Sequence, residues 1–96
     1  MGLSVQNIVF GKLVRELRLD RKWPQEELAW RAELSRQHLS RLELGENSCS
    51  IDTASAISHA LGLKLSDFLT LFARRLQELK EGDDERIQGS NDRRGL

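Results

Sequence analysis

Residues 4–22 carry the clearest periodic pattern in the chain. Their apolar side chains recur three or four residues apart: Phe10, Leu13, Val14 and Leu17. This spacing places them on one face of an α-helix, with charged residues on the other faces. Ser4 or Asn7 is suited to cap the start of this helix, and the polar residues 20–22 are suited to end it. The pattern therefore predicts a first helix that packs through a single apolar stripe.

Pro24 and Ser35 mark the starts of two short helices. Proline lacks a backbone N–H and has a fixed φ, which suits a first helical turn. Ser35 is a good N-cap, and Gly45 can adopt a left-handed conformation after the last turn. Short helices joined by three or four residues cross steeply, and Ala29 is small enough to lie where they touch. Their shared inner surface is predicted to contain Leu28, Ala32, Leu34, Leu39 and Leu42.

Two further helices are predicted after residue 50. Ser50 is suited to cap the fourth, which we expect to close at Gly62. Ser66 is suited to cap the fifth, which we expect to continue to Gly82. The inner face of the fourth helix is predicted to be Ile51, Ala54, Ile57 and Leu61.

Composition changes sharply at Gly82. Residues 82–96 are mostly Gly, Asp, Arg, Asn and Ser, and such a segment buries too little apolar surface to offset its ordering entropy. We therefore predict one domain, residues 1–81, followed by a disordered polar tail, residues 82–96. Leucine supplies 17 of the 96 residues, whereas Val, Ile and Thr together supply nine. This bias favours an all-α fold.

Charge and cysteine content narrow the classes of function. The 15 basic and 15 acidic side chains cancel, so the chain is not a polycation that binds nucleic acid indiscriminately. A lone Cys49 fits a reducing compartment, and we expect a cytoplasmic protein. Cys49 is interpreted as a small loop residue rather than a redox sensor. No metal-ligand spacing, glycine-rich phosphate loop or nucleophile motif is present, so we expect no metal, no cofactor and no enzyme activity.

The outward face of the third helix carries the candidate chemistry. It presents residue types that read base edges and phosphates in the major groove of DNA. These are Arg36, Gln37, His38, Ser40 and Arg41. Taken alone, such a face is more often simply a solvated helix surface.

The surrounding sequence is similar to the Cro/C1-type helix-turn-helix family of phage repressors and bacterial regulators. The strings that carry the resemblance are LVRELRLDRKW in the first helix, QEELA at 25–29, LSRQHLSRLELGE at 34–46 and IDTASAISHALGLKLSDFL at 51–69. The resemblance implies a five-helix, lambda-repressor-like bundle. Its third helix, about residues 35–44, would lie in the major groove of double-stranded DNA.

The resemblance also assigns roles to individual residues. Gln25 would clamp a phosphate, and Arg36 and Gln37 would make the main base contacts. His38, Ser40 and Arg41 would be secondary, and the loop that contains Asn47 would contact the DNA backbone. The implied DNA-binding set is Gln25, Ser35, Arg36, Gln37, His38, Ser40, Arg41 and Asn47. Arg18 and Glu43 match a pair that bridges the first and third helices. Two positions depart from the pattern: Glu33 stands where glycine is common, and Trp30 points outward.

The last helix extends beyond what a small bundle needs for its own core. Its apolar residues follow a heptad-like seam: Leu65, Leu69, Phe72, Leu76 and Leu79. We predict that Phe72, Leu76 and Leu79 form a homodimer interface. The alternative is that they pack on the first helix of the same chain.

These features predict a homodimeric transcriptional regulator that binds a pseudo-palindromic operator. The chain also resembles the small controller proteins of restriction–modification systems. Two alternatives stay open. One is the antitoxin of a toxin–antitoxin pair, whose protein partner binds the last helix or the tail. The other is a helix-turn-helix fold used only for protein–protein interaction, through Trp30 and the seam of the last helix.

Overall fold

Residues 4–88 form five helices. The structure is a computed structural model that describes residues 4–88, with side chains through residue 81. The helices are α1 (Val5–Asp20), α2 (Gln25–Arg31), α3 (Arg36–Glu43), α4 (Ile51–Ala60) and α5 (Leu65–Gln88). No strand occurs among residues 4–88, and the predicted all-α fold is confirmed.

Serine side chains begin three of these helices. The Oγ atoms of Ser4, Ser35 and Ser50 each accept a hydrogen bond from the backbone N–H three residues ahead, at 3.0–3.1 Å. Each serine therefore satisfies a donor that the first helical turn leaves open. Gly45 and Gly62 follow α3 and α4 with φ values of 79° and 81°. These predicted starts and ends are confirmed.

Two predictions for α4 and α5 were wrong. Helix α5 begins at Leu65, so Ser66 lies inside its first turn instead of capping it. Ile51 is 66% exposed. It extends the periodic stripe of Ala54, Ile57 and Leu61, but it is the first residue of α4 and lies beyond the end of the core.

Helix α5 also ends later than the composition indicated. It continues to Gln88 rather than stopping at Gly82, because a single glycine inside a helix costs only about 1 kcal/mol. The remainder of the predicted tail, residues 89–96, lies outside the described residues.

The core lies where α1 meets the other helices. It consists of Phe10, Leu13, Val14, Leu28, Ala29, Ala32, Leu39, Leu42, Ala54, Ile57, Leu61 and Phe68. The Phe10 ring meets the Phe68 ring edge-on, with centroids 5.4 Å apart, which joins α1 to α5. Gly11 is buried where α1 crosses the backbone of α3. These contacts pack α1 against α3 and α5.

Replacing Glu33 with glycine is expected to raise the free energy of unfolding by about 1 kcal/mol. Glu33 has a φ of 59° in the turn between α2 and α3, and this left-handed conformation strains a residue with a Cβ atom. Urea unfolding of Glu33→Gly measures the change. Glu46→Gly is the control, because Glu46 is exposed in a loop without a positive φ and should lose stability instead. A lower free energy of unfolding for Glu33→Gly than for the wild type would show that the backbone at Glu33 is not strained.

Candidate nucleic-acid interface

Helices α2 and α3 form a compact two-helix unit around a tight turn. Ala29 is buried at their contact, as its small size predicted. The Leu34 N–H donates to the Ala29 carbonyl oxygen over 2.8 Å, which closes the turn. Glu33 adopts the left-handed conformation that glycine usually supplies. The turn therefore keeps its geometry despite the departure noted in the sequence.

The burial pattern of α3 separates a packed face from an open one. Leu39, Leu42 and Glu43 are buried. Most of the predicted reading residues lie opposite: Ser35, Arg36, Gln37 and Arg41 are exposed, and His38 and Ser40 are half-buried. Asn47 is half-buried in the loop after α3. We name the outward side chains of Arg36, Gln37, Ser40 and Arg41 the reading face.

A buried ion pair fixes α3 against α1. Arg18 Nε donates to Glu43 Oε2 at 2.7 Å, and a second guanidinium nitrogen donates to Glu43 Oε1 at 2.9 Å. Arg18 also donates to the Trp23 carbonyl oxygen at 2.7 Å. This two-point contact holds both planar groups in one orientation. The pair that the resemblance implied is therefore present.

Gln25 forms a hydrogen bond to the same ion pair. The sequence did not indicate this contact. Gln25 Nε2 donates to Glu43 Oε1 at 2.9 Å, so Glu43 receives hydrogen bonds from both Arg18 and Gln25. An amide nitrogen carries two N–H groups, and one stays available to a ligand. The contact is between residues 18 positions apart, and no local pattern signals it.

The two tryptophans have different environments. Trp30 is 77% exposed, in agreement with the outward position predicted for it. Trp23 is half-buried, and the Arg31 guanidinium lies 4.2 Å from its ring centroid. Arg31 also pairs with Glu27 at 2.7 Å. The contact between Trp23 and Arg31 was not predicted from the sequence. Trp23 stands directly before Pro24, in the turn between α1 and α2.

The predicted seam of α5 is partly used within the chain. The Phe72 ring meets the Phe10 ring edge-on with centroids 5.7 Å apart, so for Phe72 the alternative of packing on the first helix is observed. Leu76 is half-buried and Leu79 is 42% exposed. Leu79 and Val5 line a groove of about 520 Å³ between α1 and α5. We name it the α1–α5 groove.

Three further features of the described residues concern metal binding, membrane insertion and thiol reactivity. No three His, Cys, Asp or Glu side chains there come together as a metal site. Among the described helices, none has the length and apolar character needed to cross a membrane. Burial raises the pKa of the Cys49 thiol to about 11. The thiol is therefore protonated at neutral pH and weakly nucleophilic.

The fold and its open reading face define a class of protein. The sequence profile of the helix-turn-helix family matches residues 14–68, which covers the second part of α1, all of α2, α3 and α4, and the start of α5. The chain belongs to this family, whose members include DNA-binding regulators.

Several similar proteins are named as control, controller or regulator proteins. The chain is 38% identical over 63 residues to the control protein C.BamHI of Bacillus amyloliquefaciens, an alignment that covers 65% of this chain and 78% of the relative. The structure superposes on the clp gene regulator ClgR of Corynebacterium glutamicum with a TM-score of 0.73 and 26% identity, over 91% and 94% of the two chains. It also matches the restriction–modification controller protein C.AhdI of Aeromonas hydrophila, with a TM-score of 0.65, 26% identity and coverage of 68% and 98%.

Proposed function

We propose that this protein is a sequence-specific transcriptional regulator that places α3 in the major groove of operator DNA. The observation that carries the proposal is the reading face, which stays open to solvent on a helix fixed from behind by the core. The relatives described as control or regulator proteins support the same role. We place the protein in the cytoplasm as a regulator without enzyme activity, metal or cofactor.

Each residue of the interface has a part in this proposal. Arg36 and Gln37 stand in the first turn of α3 and make the main base contacts, since arginine pairs with guanine and glutamine with adenine. His38, Ser40 and Arg41 reach flanking bases or the sugar–phosphate backbone. Backbone contacts come from Gln25, Ser35 and Asn47. Glu43 helps to set the position of Gln25, because it accepts one of the two amide N–H groups.

The proposal includes a homodimer on an inverted-repeat operator. A single recognition helix reads few base pairs, and a two-fold dimer doubles the readout. The α1–α5 groove and the exposed part of the α5 seam supply an apolar surface for a second copy. Leu79 and Leu76 are its main members, whereas Phe72 contributes mostly to the monomer core.

Selection from a random double-stranded DNA pool tests the function directly. We expect enrichment of an inverted repeat and a steep fall of log K with log salt concentration. No enrichment, together with a flat salt dependence, would overturn the regulator proposal. That outcome would favour a helix-turn-helix fold used for protein–protein contact, with exposed Trp30 as its centre, or an antitoxin.

Arg36→Ala and Gln37→Ala are each expected to relax base preference at one position of the selected operator, by about 1–3 kcal/mol per contact. Their side chains lie outside the core, so folding should be unaffected. Binding to the selected operator and to single-base variants measures the change. Gln25→Ala is the matched comparison, since it should weaken binding to all sequences alike. If Arg36→Ala leaves the selected motif unchanged, α3 is not the recognition helix.

Leu79→Asp is expected to convert the dimer to a monomer in sedimentation equilibrium. Leu79 is the exposed end of the α5 seam, and a buried carboxylate there would be costly at an apolar interface. Leu19→Asp is the control: Leu19 is also an exposed leucine, but it lies near the end of α1, away from the α1–α5 groove. An unchanged mass for Leu79→Asp would place the dimer contact elsewhere.

A further inference from the structure

A second groove opens directly beside the reading face. It lies between α1 and α3 and has a volume of about 370 Å³. Lys12 and Arg15 line its α1 side, Ser40 and Leu44 line its α3 side, and Gln25 adjoins both. We name it the α1–α3 groove. Ser40 belongs to both the groove and the reading face, so the two surfaces are continuous.

The cations of this groove differ from three other arginines in the first half of the chain, which have partners within the protein. Arg18 is held by Glu43, and Arg31 is held by Glu27. Arg21 donates to the backbone carbonyl oxygens of Leu17 and Leu61. Lys12 and Arg15 are exposed, and no described side chain pairs with either of them. Two positive charges therefore stand open on one side of α1.

Nearby carboxylates do not cancel these charges. Glu43 is the acidic side chain of the groove lining, and Arg18 neutralises it through two hydrogen bonds. Glu16 lies one turn after Lys12, but Arg75 of α5 pairs with it at 2.8 Å. The groove thus keeps a net positive charge, although the whole chain is neutral.

We propose that the α1–α3 groove binds a backbone phosphate of the DNA strand that borders α3. Lys12 and Arg15 supply the charge, while the Ser40 hydroxyl and the second amide N–H of Gln25 supply neutral donors. This inference rests on the proposed function: DNA that contacts the reading face also passes the groove, because Ser40 follows Arg36 by four residues on the same side of α3. In this proposal α1 contributes to the affinity for DNA and does not contribute to the preference for particular bases.

The double variant Lys12→Gln/Arg15→Gln tests the groove on the operator selected by the wild-type protein. Each phosphate contact contributes about 0.9 to the slope of log K against log salt concentration. We expect the slope to fall by about 0.9 per bound protomer, because one phosphate contact is lost, on the operator and on an unrelated duplex alike. The selected motif should stay the same. Lys12 also lines the α1–α5 groove, so Arg15→Gln is measured alone as well, and it should lower the slope by no more than about 0.9.

Arg74→Gln/Lys80→Gln is the matched control, because it removes the same charge from exposed positions on α5. Its salt slope should equal that of the wild type. An unchanged slope for the groove variant, or an equal fall in the control, would overturn the phosphate site and leave the regulator proposal intact. If the wild-type protein selects no DNA, both proposals fail together.

Neutral phosphates give a second measurement, made on both the wild-type protein and the groove variant. Single methylphosphonate substitutions along the operator should weaken wild-type binding several-fold at one phosphate beside each half-site. In the groove variant the loss at that phosphate should disappear. Equal sensitivity at that phosphate in both proteins would place the contact on other residues and overturn the inference.

Discussion

Gly11→Ala is expected to lower the free energy of unfolding by about 3 kcal/mol or more, since it forces extra volume into a close-packed contact. A Cβ atom at this position would overlap the Leu42 carbonyl oxygen and lie 2.6 Å from the Glu43 carbonyl oxygen. Both atoms belong to the α3 backbone, so they cannot move aside as a flexible side chain would. Urea unfolding of the two proteins measures the loss.

This expected loss of stability is opposite in sign to the effect that helix propensity predicts. Alanine in place of glycine inside a helix normally gains about 1 kcal/mol, and Gly11 lies in the middle of α1. Gly62→Ala is a suitable control, because a Cβ there meets nothing within 4 Å and only its φ of 81° opposes the change. We expect that variant to lose about 1 kcal/mol. A Gly11→Ala protein as stable as the wild type would show that α1 does not cross α3 this closely.

Arg18→Ala is expected to cost about 3–5 kcal/mol of unfolding free energy, because it leaves the Glu43 carboxylate buried without its cation. The two side chains are only 7% and 3% exposed, so water cannot replace the lost partner. Gln25 alone would then donate to Glu43. Urea unfolding followed by circular dichroism measures the difference.

Two comparison variants test whether the cost of Arg18→Ala arises because the ion pair is buried. Glu16→Ala breaks the exposed pair with Arg75 and should cost less than about 1 kcal/mol. The double replacement Arg18→Met/Glu43→Leu should recover most of the stability, because apolar side chains of similar size tolerate the same site. A cost for Arg18→Ala no larger than that for Glu16→Ala would contradict the buried pair.

Much of the architecture was predictable because its signals are local. The serine caps at Ser4, Ser35 and Ser50 and the glycines after α3 and α4 each act within one turn of their own position. The 3.6-residue period of α1 and α3 likewise sorts buried from exposed residues without reference to the rest of the chain. The reading face follows from that sorting. Its DNA contacts stay a prediction.

The period of a single helix does not decide which neighbours cover its residues. Ile51 fits the period of α4, yet whether the first residue of a helix is covered depends on how far its neighbours extend. Phe72 fits a seam that continues along α5, but the nearness of Phe10 decides that it packs within the chain. A repeat along one helix defines a face and does not say which partner covers it.

The sequence by itself determined five helices, their main boundaries and the exposed polar face of α3, since caps, period and turn residues act over a few positions. Only the tertiary structure decided that Gly11 permits the α1–α3 crossing, that Glu43 joins Gln25 to Arg18, and that Lys12 and Arg15 stand beside Ser40. These contacts join residues far apart in the chain, and distance between helices is set by packing rather than by any local pattern. The neutral total charge thus conceals a positive groove beside the reading face.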